Sequence, residues 1–148
     1  MTITDLLRGE HGVLTRLLEH VAGQSLRWSL RDALEAGGLL EAALASHAHL
    51  EDELLFRALE PYIAAQQGPL AVMRLEHAAI EGALERLRNA IDDDEARALL
   101  LYAAEVARDH FLEEERILFP LAERCLEPSR LAELGQAWSE RRVLTVAA

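Results

Sequence analysis

The sequence predicts an all-α fold, an up-down-up-down four-helix bundle followed by a short C-terminal extra helix. Three observations point there. The 148 residues are rich in Leu, Ala, Glu and Arg, with 5% aromatic residues, 8 Gly and 4 Pro, a composition weighted toward strong helix formers. Apolar residues recur three and four apart, and no stretch sustains the alternation of a half-buried strand. Four such amphipathic stretches are separated by short breaks, which favour antiparallel neighbours.

Thr4 is placed to cap a first helix from about Asp5 to Val21, with Leu7, Leu14, Leu18 and Val21 on one stripe. Gly23-Gln24-Ser25 breaks it. A second helix is expected from Ser29 or Asp32 to Leu59 and is stopped by Pro61. Gly37-Gly38 weakens it, each glycine costing about 1 kcal/mol against alanine. Pro69 suits the first position of a third helix, which runs to about Ile91 on Leu70, Met73, Ile80, Leu84 and Leu87. One of Asp92, Asp93 and Asp94 caps a fourth helix from about Glu95 to Phe119, ending near Pro120 or a few residues on. A short fifth helix is expected from Pro128 to Trp138. The tail from Arg141 to Ala148 reads as frayed, with Arg141-Arg142 a solvated pair.

The length is that of one domain, so residues 1–148 are read as one unit: a bundle over about 3–124, then the helix and tail over 128–148. A net charge of -11 repels phosphate backbones and argues against nucleic acid as a partner. The lone Cys125 allows no internal disulfide and reads as a small packed side chain. The first residues, MTITDLLRGEH, lack the basic and apolar regions of a signal peptide. No segment reaches the ~20 apolar residues of a membrane helix. The expectation is a cytoplasmic protein. Trp28, Trp138, Tyr62 and Tyr102 read as packing or interface residues, and apolar residues around Trp138 and Val143 leave a homodimer open.

The chemistry lies in a twofold repeat. Glu10-His11 on the first helix is echoed by Glu76-His77 on the third. His47-x-x-x-Glu51 with Leu55-Phe56 on the second is echoed by His110-x-x-x-Glu114 with Leu118-Phe119 on the fourth. The offsets are 66 residues for His11 and His77 and 63 for His47 and His110. Residues four apart on a helix lie about 40° from each other, so each His-Glu pair shares a face. That face is apolar. His47 and Glu51 fill gaps in the stripe Leu40, Ala43, Leu44, Ala48, Leu54, Leu55 and Ala58. His110 and Glu114 interrupt Leu99, Ala103, Val106, Ala107, Phe111, Ile117, Leu118 and Leu121. His11 and His77 lie in line with the leucines of their own helices. His20 and His49 fall on outer faces, and Glu113 and Glu115 are expected to face solvent beside Glu114.

Ionised carboxylates in a core cost several kcal/mol unless compensated. A pair of metal ions would compensate two of them beside four imidazoles, and this donor set suits iron, manganese or zinc rather than copper(I). The donors do not saturate two octahedral ions even with a bridging oxo or hydroxo group. Positions therefore stay open for water, O₂, nitric oxide or peroxide. A ferritin-like site would show Glu-x-x-His, and no histidine here has glutamate three residues before it.

These residues resemble the hemerythrin-like, or HHE cation-binding, family over roughly residues 1–125. The resemblance implies a four-helix bundle around a carboxylate-bridged di-iron site. His11, His47, Glu51, His77, His110 and Glu114 would be the ligands, with Glu51 and Glu114 as bridges. The oxygen-carrying members have two histidines four apart on the third helix. Here Met73 lies four before His77 and Glu81 four after it. Either Met73 stands at the lost ligand or Glu81 is a third carboxylate ligand. The carriers also place Asp five residues after the fourth-helix histidine, where this chain offers Glu114 at four and Glu115 at five. These departures favour sensing or redox chemistry over reversible O₂ carriage. The expected function is a non-haem di-iron protein binding or sensing O₂, nitric oxide or peroxide. A peroxide reductase or iron-centre repair enzyme with an unknown electron donor, and a plain metal-binding or storage module with zinc or iron, are the alternatives.

Overall fold

Thr2, not Thr4, starts the first helix. In a computed structural model, which describes residues 1–64 and 67–147 and side chains as far as Arg142, the Thr2 Oγ1 accepts from the Asp5 N–H at 3.3 Å. The Asp5 carboxylate accepts from the Thr2 N–H at 3.0 Å in return. This reciprocal cap outcompetes a cap at Thr4, which is buried instead. Helix α1 is Ile3–Gln24. A second reciprocal cap, Ser29 with Asp32, starts α2. It comprises Leu30–Glu51, a π-helical turn Asp52–Phe56 and a last turn Arg57–Leu59, together residues 30–59. Helix α3 is Pro69–Arg88, three residues shorter than expected, leaving Ile91 exposed. Asp92 caps α4, which comprises Asp93–Glu113, a π turn Glu114–Leu118 and Phe119–Cys125, together residues 93–125. Helix α4 continues a few residues past Pro120, which falls in the first turn after the π segment, where a missing N–H is tolerated. Helix α5, Pro128–Ala147, runs well past Trp138 through residues expected to fray. No described residue lies in a strand.

The two π turns follow directly on Glu51 and Glu114. The Arg57 N–H reaches back to the Asp52 carbonyl and the Phe119 N–H to the Glu114 carbonyl, five residues each. In an unbroken α-helix a residue five on from Glu51 would lie about 140° round the axis. The wider turn takes up one more residue per circuit and brings Phe56 back toward the face of Glu51, with both fully buried. Phe119 follows Glu114 in the same way. The slip also corrects one expectation: Ile117, assigned to the inner stripe by α periodicity, is 51% exposed.

Each of the four long helices packs on its chain neighbours, α1 also packs on α4, and α5 packs on α1 and on the π turn of α2. The core is split. One apolar cluster contains Leu18, Leu40, Leu44, Ile80, Leu87 and Phe111. The other contains Ile3, Leu7, Phe56, Met73 and Phe119, with Leu131 and Leu134 from α5. Between the two lies a buried polar layer. Trp138 and Cys125 pack against the second cluster and Trp28 against the first, whereas Tyr62 and Tyr102 are exposed. The Val143 side chain lies outside the described residues.

Candidate metal centre

The polar layer consists of the six inward residues. His11, His47, Glu51, His110 and Glu114 are 2% exposed or less, and His77 is 9% exposed. One comes from α1, two from α2, one from α3 and two from α4. Their ligand atoms form two groups, each within 4.8 Å: His11, His47, Glu51 and Glu114, and His77, His110, Glu51 and Glu114. Both groups share both carboxylates. Glu51 Oε2 lies 3.8 Å from His47 Nε2 and 3.7 Å from His77 Nε2. Glu114 offers Oε2 to His11 Nε2 at 3.2 Å and Oε1 to His110 Nε2 at 3.0 Å. None of these approaches is aligned as a hydrogen bond, and all four carboxylate oxygens are buried without a hydrogen-bond partner.

A second ring of carboxylates holds the outer edges of the imidazoles. His47 Nδ1 lies 2.9 Å from Glu10 Oε2, His110 Nδ1 2.7 Å from Glu76 Oε2, and His11 Nδ1 3.0 Å from Glu115 Oε1. The fourth, Asp52, stands with Oδ2 3.9 Å from His77 Nδ1, beyond hydrogen-bond reach, and that nitrogen has no hydrogen-bond partner. A carboxylate acceptor at Nδ1 selects the tautomer protonated there and turns the Nε2 lone pair inward. The Nε2 atoms then meet in pairs, His11 with His47 at 3.2 Å and His77 with His110 at 2.9 Å. These Nε2 atoms, converging beside the unpartnered carboxylates, make a cluster of nitrogen and oxygen donors that suits a cation. The rings are clamped from the sides as well. Phe111 and Phe119 stack on His11 at 4.2 and 5.3 Å between centroids, and Phe56 stacks on His77 at 5.7 Å.

Electrostatics agree. Burial, with the charge of Glu114 added, holds the Glu51 carboxyl well above the ordinary range. Burial pushes Glu114 to about 8, with the charges of Glu76, Asp52 and Glu115 adding to it. Burial, then the neighbouring His47 and His110, depress His11 to about 2. Burial works against the charge on Glu10, but its hydrogen bond to His47 and the Arg142 guanidinium outweigh that and hold it ionised. Without a cation, protons take the metal's place on the inner carboxyls while the His11 imidazole stays neutral.

Glu81 is exposed and belongs to neither group. It sits instead on the rim of a cavity of about 260 Å³ whose floor carries His47, His77 and His110. Met73 is buried in the second apolar cluster. His20 and His49 face outward, as does Glu113. Glu115 is only partly exposed to solvent and holds His11. The four outer carboxylates were readable as one rule, an acid immediately before His11 and His77 and immediately after Glu51 and Glu114. Arg142, read as solvated, instead pairs with Glu10.

The family comparison matches residues 2–122 to the hemerythrin HHE cation binding domain. No curated protein and no solved structure matches the chain. The matched span contains both groups of donors and all four outer carboxylates, and it stops before α5. The chain is therefore a member of the hemerythrin HHE cation-binding domain family.

Proposed function

We propose that this chain holds two iron ions between the apolar clusters and uses their open positions to bind O₂, nitric oxide or peroxide. His11 and His47 would serve one ion, His77 and His110 the other, with Glu51 and Glu114 bridging both. The observation that carries this reading is the pair of shared, buried carboxylates whose four oxygens have no hydrogen-bond partner. We read α1 to α4 as an up-down-up-down bundle, which delivers the two His-Glu motifs from α2 and α4 across the core.

When bound, iron would supply one-electron redox change and open coordination positions. The rest belongs to the protein. Glu10, Glu76 and Glu115 orient imidazoles and keep protons on Nδ1. The phenylalanines fix the rings. The cavity between α2 and α3 supplies a path whose walls are apolar, with Leu44, Ala48, Ile80, Leu84 and Phe111. At its mouth Arg88 pairs with Glu41 at 3.5 Å. Apolar walls behind a charged mouth favour a small uncharged ligand over a hydrated ion.

The test is metal analysis of chain produced in iron-replete medium and purified without chelators, with a visible spectrum. The expected result is two irons per chain and the near-ultraviolet absorption of a coupled ferric pair, altered by nitric oxide or peroxide. Folded chain that takes up no iron would overturn the proposal.

A further inference from the structure

We infer that Arg142 is a positioning residue for the metal centre: through Glu10 it fixes the ring of His47, so the C-terminal helix sets how firmly the His11–His47 half holds its ion. The inference rests on the two-ion reading above. Glu10 divides its carboxylate between two partners. Oε2 meets His47 Nδ1 at 2.9 Å, and Oε1 pairs with Arg142 Nη2. The guanidinium is itself held. It donates to Ser46 Oγ at 2.6 Å and lies over the Trp138 ring, 5.3 Å from its centroid. Arg142 is 24% and Glu10 19% exposed, so this is not a freely solvated pair. Without the arginine, one Glu10 oxygen would face an open pocket lined by Leu6, Val13 and Ser46, and the carboxylate would be free to turn away from His47.

The helix that carries Arg142 is seated firmly. Leu131 and Leu134 are buried in the second apolar cluster. Gly135 lies so close to the start of α1 that a Cβ there would fall 2.5 Å from the Met1 carbonyl oxygen. Arg141 pairs with Glu53, on the π turn that follows Glu51. The coupling is one-sided. The matching pair, Glu76 and His110, is carried by α3 and α4 and has no contact with Arg142. Two halves alike in their donors are thereby made unequal by a helix outside the family domain.

The experiment uses the full chain loaded with zinc alone, as wild type, R142Q and R142K, with release to a chelator followed in time. Wild type should release two zinc ions. In R142Q one of them should leave about tenfold faster, the size of effect typical when a ligand histidine loses its support, and the other should be unchanged. R142K, which keeps the charge, should recover most of the difference, a rescue that simple loss of packing would not give. In the nuclear magnetic resonance spectrum of the zinc form, the His47 Nδ1 proton should exchange faster with solvent in R142Q, and that of His110 should not. Identical release from wild type and R142Q, or equal acceleration of both ions, would overturn the inference. Wild-type chain that holds fewer than two zinc ions would overturn the two-ion reading itself, a failure visible before any variant is made.

Discussion

Glu51 is completely buried, and its carboxyl satisfies nothing in the protein. Such a group persists against its cost to folding only where something else requires it. Glu51→Met keeps the volume and removes the orphaned oxygens. It should stabilise the metal-free chain by about 1–3 kcal/mol in urea unfolding while abolishing uptake of a second metal ion. Lower stability together with normal metal content would sink the bridging role. His20→Ala and His49→Ala should leave metal content unchanged, since both rings are exposed, whereas His47→Ala and His110→Ala should each lower it. At this scale the sequence was most informative: spacing against the apolar stripes located all six inward residues. It failed at Glu115 and Arg142. Their partners, His11 and Glu10, lie far off in the chain, and helical periodicity reports only which side of one helix a residue faces.

Helix α2 carries two adjacent glycines that the sequence treats alike and the packing does not. A Cβ on Gly37 would fall 2.3 Å from Leu87 Cδ2, a buried side chain of α3, whereas Gly38 has open space. Gly38→Ala should therefore raise stability by about 0.5–1 kcal/mol. Gly37→Ala should lower it by about 1–3 kcal/mol as Leu87 is driven from its place. Denaturant midpoints of the two variants decide the matter, and equal shifts would refute the close approach of α2 to α3. The caps at Ser29 and Asp92 were legible because capping chemistry is local. The π turns were not. Their extra residue returns Phe56 and Phe119 to the inner face, and that gain comes from partners on other helices, with His77 under Phe56 and His11 under Phe119.

The whole molecule sandwiches one polar layer between two apolar clusters, so its stability should depend on pH in opposite ways with and without metal. In the metal-free chain Glu114 is raised from 4.5 to about 8 and Glu51 is raised with it. The folded state then binds more protons than the unfolded one, and this contribution, complete below pH 4.5, is lost as pH rises through 8. His11, depressed from 6.5 to about 2, acts in reverse: its contribution is present above pH 6.5 and lost as pH falls below it. The two oppose each other between 4.5 and 6.5. From 6.5 to 8 the His11 contribution is complete while that of the carboxyls is still being lost, so metal-free chain should melt at progressively lower temperature across that window. Metal requires ionised carboxylates and neutral imidazoles, so loaded chain should hold or gain stability over the same range. Parallel melting curves for the two forms would show that the metal does not occupy this layer.

The sequence by itself determined the helical class, the inward histidines and glutamates and the family. All of these follow from local propensity and from which residues share one helix face. Only the tertiary structure decided which donors share a carboxylate, that three further acids, Glu10, Glu76 and Glu115, hold imidazoles from outside, and that α5 reaches the centre through Arg142. Those relations join residues on different helices. They depend on the rotation and approach of helices about one another, which are set by packing of the two apolar clusters and leave no period in the chain.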